Sequence, residues 1–145
     1  MFTRDISVGG NAYTEAVQKE LNLPFDSAEQ VKKGQPVEGV DPESVKPVLQ
    51  AMTETVLLEI QKTFDFYKAS ASSDRIDRIV LSGGACRVGG FSEALSERFG
   101  SAVETFDPFR KIAFEPAKLG VTEPEALTPS AAVAVGLALR KAGDR

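Results

Sequence analysis

No histidine and no tryptophan occur in the 145 residues. Without an imidazole, Ser-His-Asp triads, Cys-His dyads and every His-based metal site drop out. A single cysteine, Cys86, permits neither an internal disulfide nor a thiolate metal cluster, and suits a reducing compartment. Positive charge is not in excess: 17 basic residues face 21 acidic ones, net −4, which argues against electrostatic capture of nucleic acid as the main function. Long apolar runs are missing too. The longest uncharged run of small apolar residues, about 126–139, falls short of the roughly 20 residues a membrane span needs. Met1-Phe2-Thr3-Arg4-Asp5 has neither the basic nor the apolar region of a secretory signal. The expectation is a cytoplasmic protein, held at a membrane only through partners.

With 42% apolar and 26% charged residues, the chain has the composition and length of one ordinary globular domain. Phe2, Arg4, Ile6 and Val8 alternate with polar neighbours, which predicts a strand over 2–8 ended by Gly9-Gly10. Tyr13, Ala16, Val17 and Leu21 give helical spacing behind a possible cap at Asn11, and a short helix is expected at 27–33, stopped by Gly34. Val45, Val48, Leu49, Met52, Val56, Ile60, Phe64 and Tyr67 form one long helical stripe, with Pro47 placed in the first turn. After a polar linker at 70–73, residues 76–81 read as a buried strand, 91–99 as a helix and 103–106 as a strand, a unit that favours parallel pairing with a right-handed crossover. Residues 107–128, with three prolines, read as irregular surface chain, and 128–139 as a small-sided helix that something must pack against. No internal repeat is present.

Two segments could hold a ligand. Ser82 to Gly90 joins strand to helix and contains four glycines, so backbone can approach a ligand there while helical N–H groups point towards the loop. Known phosphate templates fail: Gly84 and Gly89 have the Walker spacing, but Gly90-Phe91 stands where Lys-Ser/Thr is required. A plain strand-to-helix turn explains the glycines equally well. Glu29 and Lys32 share a helical face and could bond jointly to a ribose or base edge, or form an ordinary i,i+3 ion pair. Asp5, Glu15 and Asp107 have no evident partners for acid–base work, and Cys86 reads as a small hydrophobe.

Taken in order, Gly9-Gly10 after a strand, Ala-Glu-x-x-Lys at 28–32, the long helix, Ile-Val-Leu-Ser-Gly-Gly-Ala at 79–85, Gly-Gly-Phe at 89–91 and Pro-Ser-Ala-Ala-Val-Ala-Val-Gly-Leu-Ala at 129–138 resemble the C-terminal half of the actin-like ATPases that include FtsA and MreB. Within that superfamily, Phe2 to Thr14 is similar to the PilM family of type IV pilus assembly proteins. The resemblance implies an α/β fold, the second half-domain of a ribonuclease H-like, actin-type ATPase. It would have a mixed sheet flanked by helices, formed by 1–10 and 45–145, with a small helical subdomain at 11–44. It also implies an ATP nucleoside site, with Gly83, Gly84 and Ala85 beneath the adenosine, Arg87 and Val88 flanking, and Glu29 and Lys32 covering it. No catalytic residue and no metal ligand are assigned, and Mg²⁺ is expected only in a complete protein.

For function, the resemblance implies a cytoplasmic ATP-binding scaffold of pilus biogenesis and twitching motility. It would dock the N-terminal cytoplasmic tail of PilN and lie peripherally at the inner membrane. No upstream Asp-x-Gly-x-x-Thr phosphate loop is found, so a truncated piece with weak or no nucleotide binding and no ATPase activity is expected. Two alternatives stay open: an interaction module without nucleotide binding, and a fragment of a sugar- or acetate-kinase-like enzyme, whose catalytic Asp cannot be assigned. An exposed first strand and an Ala-rich helix predict self-association.

Overall fold

A computed structural model describes residues 2–70, 75–113, 115–120, 127–141 and 143. The linker expected at 70–73 and the irregular run at 107–128 lie partly outside these residues. Three helices come first: α1 (Gly10–Leu21), α2 (Phe25–Lys32) and the 29-residue α3 (Pro42–Ser70). Then come β1 (Arg78–Leu81), a 3₁₀ turn (Gly84–Arg87), α4 (Phe91–Phe99), β2 (Ala102–Thr105), two further 3₁₀ turns (Pro116–Leu119 and Thr128–Ser130) and α5 (Ala132–Ala138). The architecture is α/β, as the sequence predicts.

The strand–helix–strand unit forms as expected, but β1 is not the buried strand expected at 76–81: Arg78 and Val80 are exposed, and Ile79 and Leu81 are only half-buried. β1 and β2 pair in parallel, with Arg78 opposite Ala102 and Leu81 opposite Thr105, and α4 is the crossover. α4 ends at Gly100, whose φ of 62° is a left-handed cap that suits glycine. The strand expected at 2–8 requires correction. These residues form no strand and bend at Ser7, and the sheet among the described residues is a single parallel pair. Aromatic packing anchors the segment instead. The Phe2 ring stacks on Phe66 at 5.7 Å between centroids and tilts against Tyr67 at the same distance, both on α3.

α3 starts at Pro42, because the Asp41 carboxylate accepts the Glu43 N–H at 3.0 Å and supplies a side-chain cap ahead of Val45. Pro47 therefore sits beyond the first turn, where it withdraws one intrahelical bond from the carbonyl of Glu43.

Two apolar clusters lie on opposite stretches of α3. One gathers Tyr13, Val56, Leu57, Val88, Phe91 and Leu95, and the other Val17, Ala28, Val31 and Val45. α1 belongs to both, through Tyr13 and Val17 one turn apart, so it fixes the α2 unit relative to the sheet unit. The Tyr13 hydroxyl reaches Thr53 at 3.1 Å, which satisfies two buried polar groups inside the larger cluster. Arg98 on α4 pairs with Glu54 on α3, and Phe64 meets Phe99 edge-on at 4.7 Å. The helix at the C-terminal end differs from expectation: α5 has no buried residue, and Val133 is 74% exposed.

Leu95 is 1% exposed at the centre of the larger cluster. Leu95→Ala should cost about 2–5 kcal/mol, read as a lowered midpoint with an unchanged slope in urea unfolding; Leu58→Ala, at a half-exposed position, should cost far less.

Candidate functional site

Four stretches of chain meet at one cleft of about 350 Å³. They are the first turn of α1 (Gly10, Asn11), the end of α2 with its cap (Glu29, Lys32, Lys33), the turn after β1 (Gly84, Ala85, Arg87, Val88) and Ser130. The sequence candidates Glu29, Lys32, Gly84, Ala85, Arg87 and Val88 are thus brought together on facing walls. Gly83 does not line the cleft. Its φ of 92° is a conformation that favours glycine, and its N–H donates to the Pro129 carbonyl at 2.7 Å. The Ser82 hydroxyl donates to the same carbonyl at 3.2 Å, so Gly83 shapes the turn and ties it to the one carrying Ser130.

The N-terminus of α4, expected to face the loop, is turned elsewhere. Residues 84–87 wind into a 3₁₀ turn, Phe91 at the start of α4 is buried in the core, and neither Gly90 nor Phe91 lines the cleft. The wall is the turn itself.

The opposite wall is a charge network. Lys32 is 10% exposed at its side chain, and its ammonium donates to Glu29 Oε2 at 2.5 Å, to Thr14 Oγ1 at 2.8 Å and to the Gly10 carbonyl at 3.2 Å. All three ammonium directions are used. The Thr14 hydroxyl, fully buried, donates to Glu29 Oε2 at 2.5 Å, and Lys33 reaches Glu29 Oε1 at 3.1 Å. Burial alone would push the Glu29 carboxyl up. Hydrogen bonds from Lys32, Thr14 and Lys33, with the Lys32 charge, outweigh it and bring the carboxyl down to about 2. The pair is therefore more than a solvated surface contact: it ties α2 to the first turn of α1.

This arrangement holds a ligand better than it moves protons. A carboxylate with a pKa of about 2 is a poor general base near neutrality. The Cys86 thiol donates to the Gly83 carbonyl at 2.8 Å, and burial pushes its pKa up, which opposes nucleophilic use. Among the described residues, no group of three His, Cys, Asp or Glu side chains is placed to bind a metal ion.

Sequence reasoning missed Gly10, Asn11, Lys33, Ser130 and the supporting Thr14. Gly10 reads as the stop of a strand and Ser130 as the start of a helix, and nothing in one dimension shows that these two ends adjoin. Lys33, next to Lys32, was the most findable.

The sequence matches the family described as "Type IV pilus assembly protein PilM" over residues 1–142. The chain belongs to the PilM family. A solved PilM family structure, described as "PilM-PilN type IV pilus biogenesis complex", superposes with a TM-score of 0.71 at 28% sequence identity. The match covers 97% of this chain and 39% of that one, so the chain spans well under half the length of this PilM relative. Among the described residues no helix is long and apolar enough to cross a membrane.

The lowered Glu29 carboxyl fixes an acid sensitivity. Its stabilising contribution is complete above its ordinary value of 4.5 and is lost as pH falls from there through about 2. With the side chain 26% exposed, the loss should be on the order of 1 kcal/mol after solvent screening. Urea midpoints measured between pH 6 and pH 2 should fall less steeply for Glu29→Gln than for the parent chain.

Proposed function

We propose that this chain forms the nucleoside-holding part of an ATP-binding scaffold of type IV pilus assembly. One observation carries the reading: in a PilM family chain, a glycine turn and a Glu-x-x-Lys helix far apart in sequence face each other across a cleft of about 350 Å³. That volume lies within the range of small-molecule sites, roughly 300–1,000 Å³. Gly84 lets a flat base or sugar approach the backbone, and the Glu29 carboxylate accepts hydrogen bonds from ribose hydroxyls. Lys33 and Arg87 add positive charge for the phosphate end of the ligand. Residues 11–44 act as the cover, and 1–10 with 45–145 as the base. No Mg²⁺ ligand is assigned among the described residues.

The solved relative is a complex of PilM with PilN, and we assign the same partner, through its N-terminal cytoplasmic tail, to the protein of which this chain shows the family features. In this reading the scaffold sits peripherally on the cytoplasmic face of the inner membrane and links the pilus motor to the alignment complex used in twitching motility. Nucleotide bridges the two walls, and its occupancy shifts the population of closed molecules rather than driving turnover.

A second reading is favoured by Lys32, whose three ammonium donors are all engaged inside the chain. The pair is then a structural staple and the chain an interaction module without nucleotide. Equilibrium dialysis with labelled ATP separates the two. With nucleoside contacts alone, the scaffold reading expects a millimolar Kd, about 4 kcal/mol, and no hydrolysis. Gly84→Asp should weaken binding at least tenfold without lowering the melting temperature, since a Cβ there would sit 3.8 Å from Ser130 Oγ, an ordinary contact. Micromolar binding with turnover would make the chain an enzyme fragment, and no binding, with PilN affinity intact, would leave the inert module.

A further inference from the structure

The two oxygens of the Glu29 carboxylate are held unequally. Oε2 accepts from the Lys32 ammonium and from the Thr14 hydroxyl, each at 2.5 Å. Both donors are enclosed: the Lys32 side chain is 10% exposed and Thr14 is fully buried. Oε1 accepts from Lys33 at 3.1 Å, and that side chain is 53% exposed. A contact to a half-exposed ammonium is weak, because water screens the attraction and a long side chain loses freedom in holding it. The bonds to Oε2 are harder to give up, since a buried donor would be left a partner short. One oxygen is therefore fixed and the other exchangeable. A hydroxyl entering the cleft meets least resistance at Oε1, in place of the Lys33 ammonium.

Such an exchange also redirects charge. While Lys33 is on Glu29, its ammonium is spent on the carboxylate. A neutral hydroxyl that takes over Oε1 releases that charge without adding any. Lys33 is the C-terminal cap of α2 and lines the cleft opposite Gly84 and Ala85, so the released ammonium stays at the cleft wall. A ligand carrying both a hydroxyl and an anionic group recovers what the exchange costs, whereas a ligand with the hydroxyl alone does not. We propose that Lys33 is an exchangeable counter-ion that makes the cleft prefer phosphorylated nucleosides to bare ones. A ribose hydroxyl takes Glu29 Oε1, and the displaced ammonium passes to the phosphate of the same ligand. This rests on the cleft being a nucleoside site. Lys32, with all its donors engaged, stays in place throughout.

One substitution should then act with opposite signs on two ligands. Lys33→Met removes the competitor for Oε1, so adenosine should bind about two- to fivefold more tightly, the range set by an exposed ion pair. The same change removes the partner of the phosphate, so ATP should bind several-fold more weakly. Both affinities are read from NMR chemical-shift titrations of the full chain with adenosine or ATP at millimolar concentration. In a Glu29→Gln background the gain for adenosine should vanish, because the two side chains act through one contact. Weaker binding of both ligands to Lys33→Met would make Lys33 a structural residue, and unchanged adenosine affinity would make it a plain phosphate contact. Either result overturns the proposal. Failure of the parent chain to bind either ligand would sink the nucleoside reading, and the preference with it. The exchange is also read without ligand: ammonium ¹⁵N–¹H spectra should show a sharp, slowly exchanging signal for Lys32 and none for Lys33. Equally sharp signals from both would overturn it.

Discussion

A single ammonium group holds the helical unit in place. Lys32 lies almost wholly inside the molecule and bonds at once to a carboxylate on its own helix, a buried hydroxyl on α1 and the carbonyl that opens α1. A buried cation is costly unless its partners are complete, and here they are. The carboxylate, the hydroxyl and the first turn of α1 are therefore held in register by one another. That register puts one wall of the cleft opposite the turn after β1. Removing the ammonium would leave the carboxylate and the Thr14 hydroxyl competing for fewer donors, and the angle between α1 and α2 would lose its main polar constraint.

The other wall is built by different means. Its glycine turn is not an anion cradle at a helix N-terminus but a 3₁₀ turn, laced to residues 128–130 through one doubly used carbonyl. The two walls thus differ in kind: one depends on charge and is acid-labile, the other on backbone geometry and is indifferent to pH. A ligand spanning them is gripped by an electrostatic side that can be tuned and a steric side that is fixed.

Much of this was legible in one dimension. The apolar stripe of α3, the strand–turn–helix–strand unit and its parallel pairing follow from periodicity and connection length, which are local properties. The candidate residues Glu29, Lys32, Gly84, Ala85, Arg87 and Val88 were found because a helix face and a glycine turn are also local. What failed was long-range. The alternation at 2–8 has the period of a strand, yet strand formation depends on a neighbouring edge, and Phe2 finds Phe66 and Tyr67 instead. The small residues of α5 signal close packing, but among the described residues nothing buries them. Ser130 joins the cleft only because Pro129 accepts hydrogen bonds from residues 46 and more positions earlier in the chain.

Pro47 has a mechanical consequence. One rung is missing from the ladder of α3 within the stretch that packs in the smaller apolar cluster, between Val45 and Val48. Bending stiffness is lowest at that point, so thermal flexing of the helix concentrates there rather than spreading along its length. The long helix then acts less as a uniform rod than as a strut with one compliant joint.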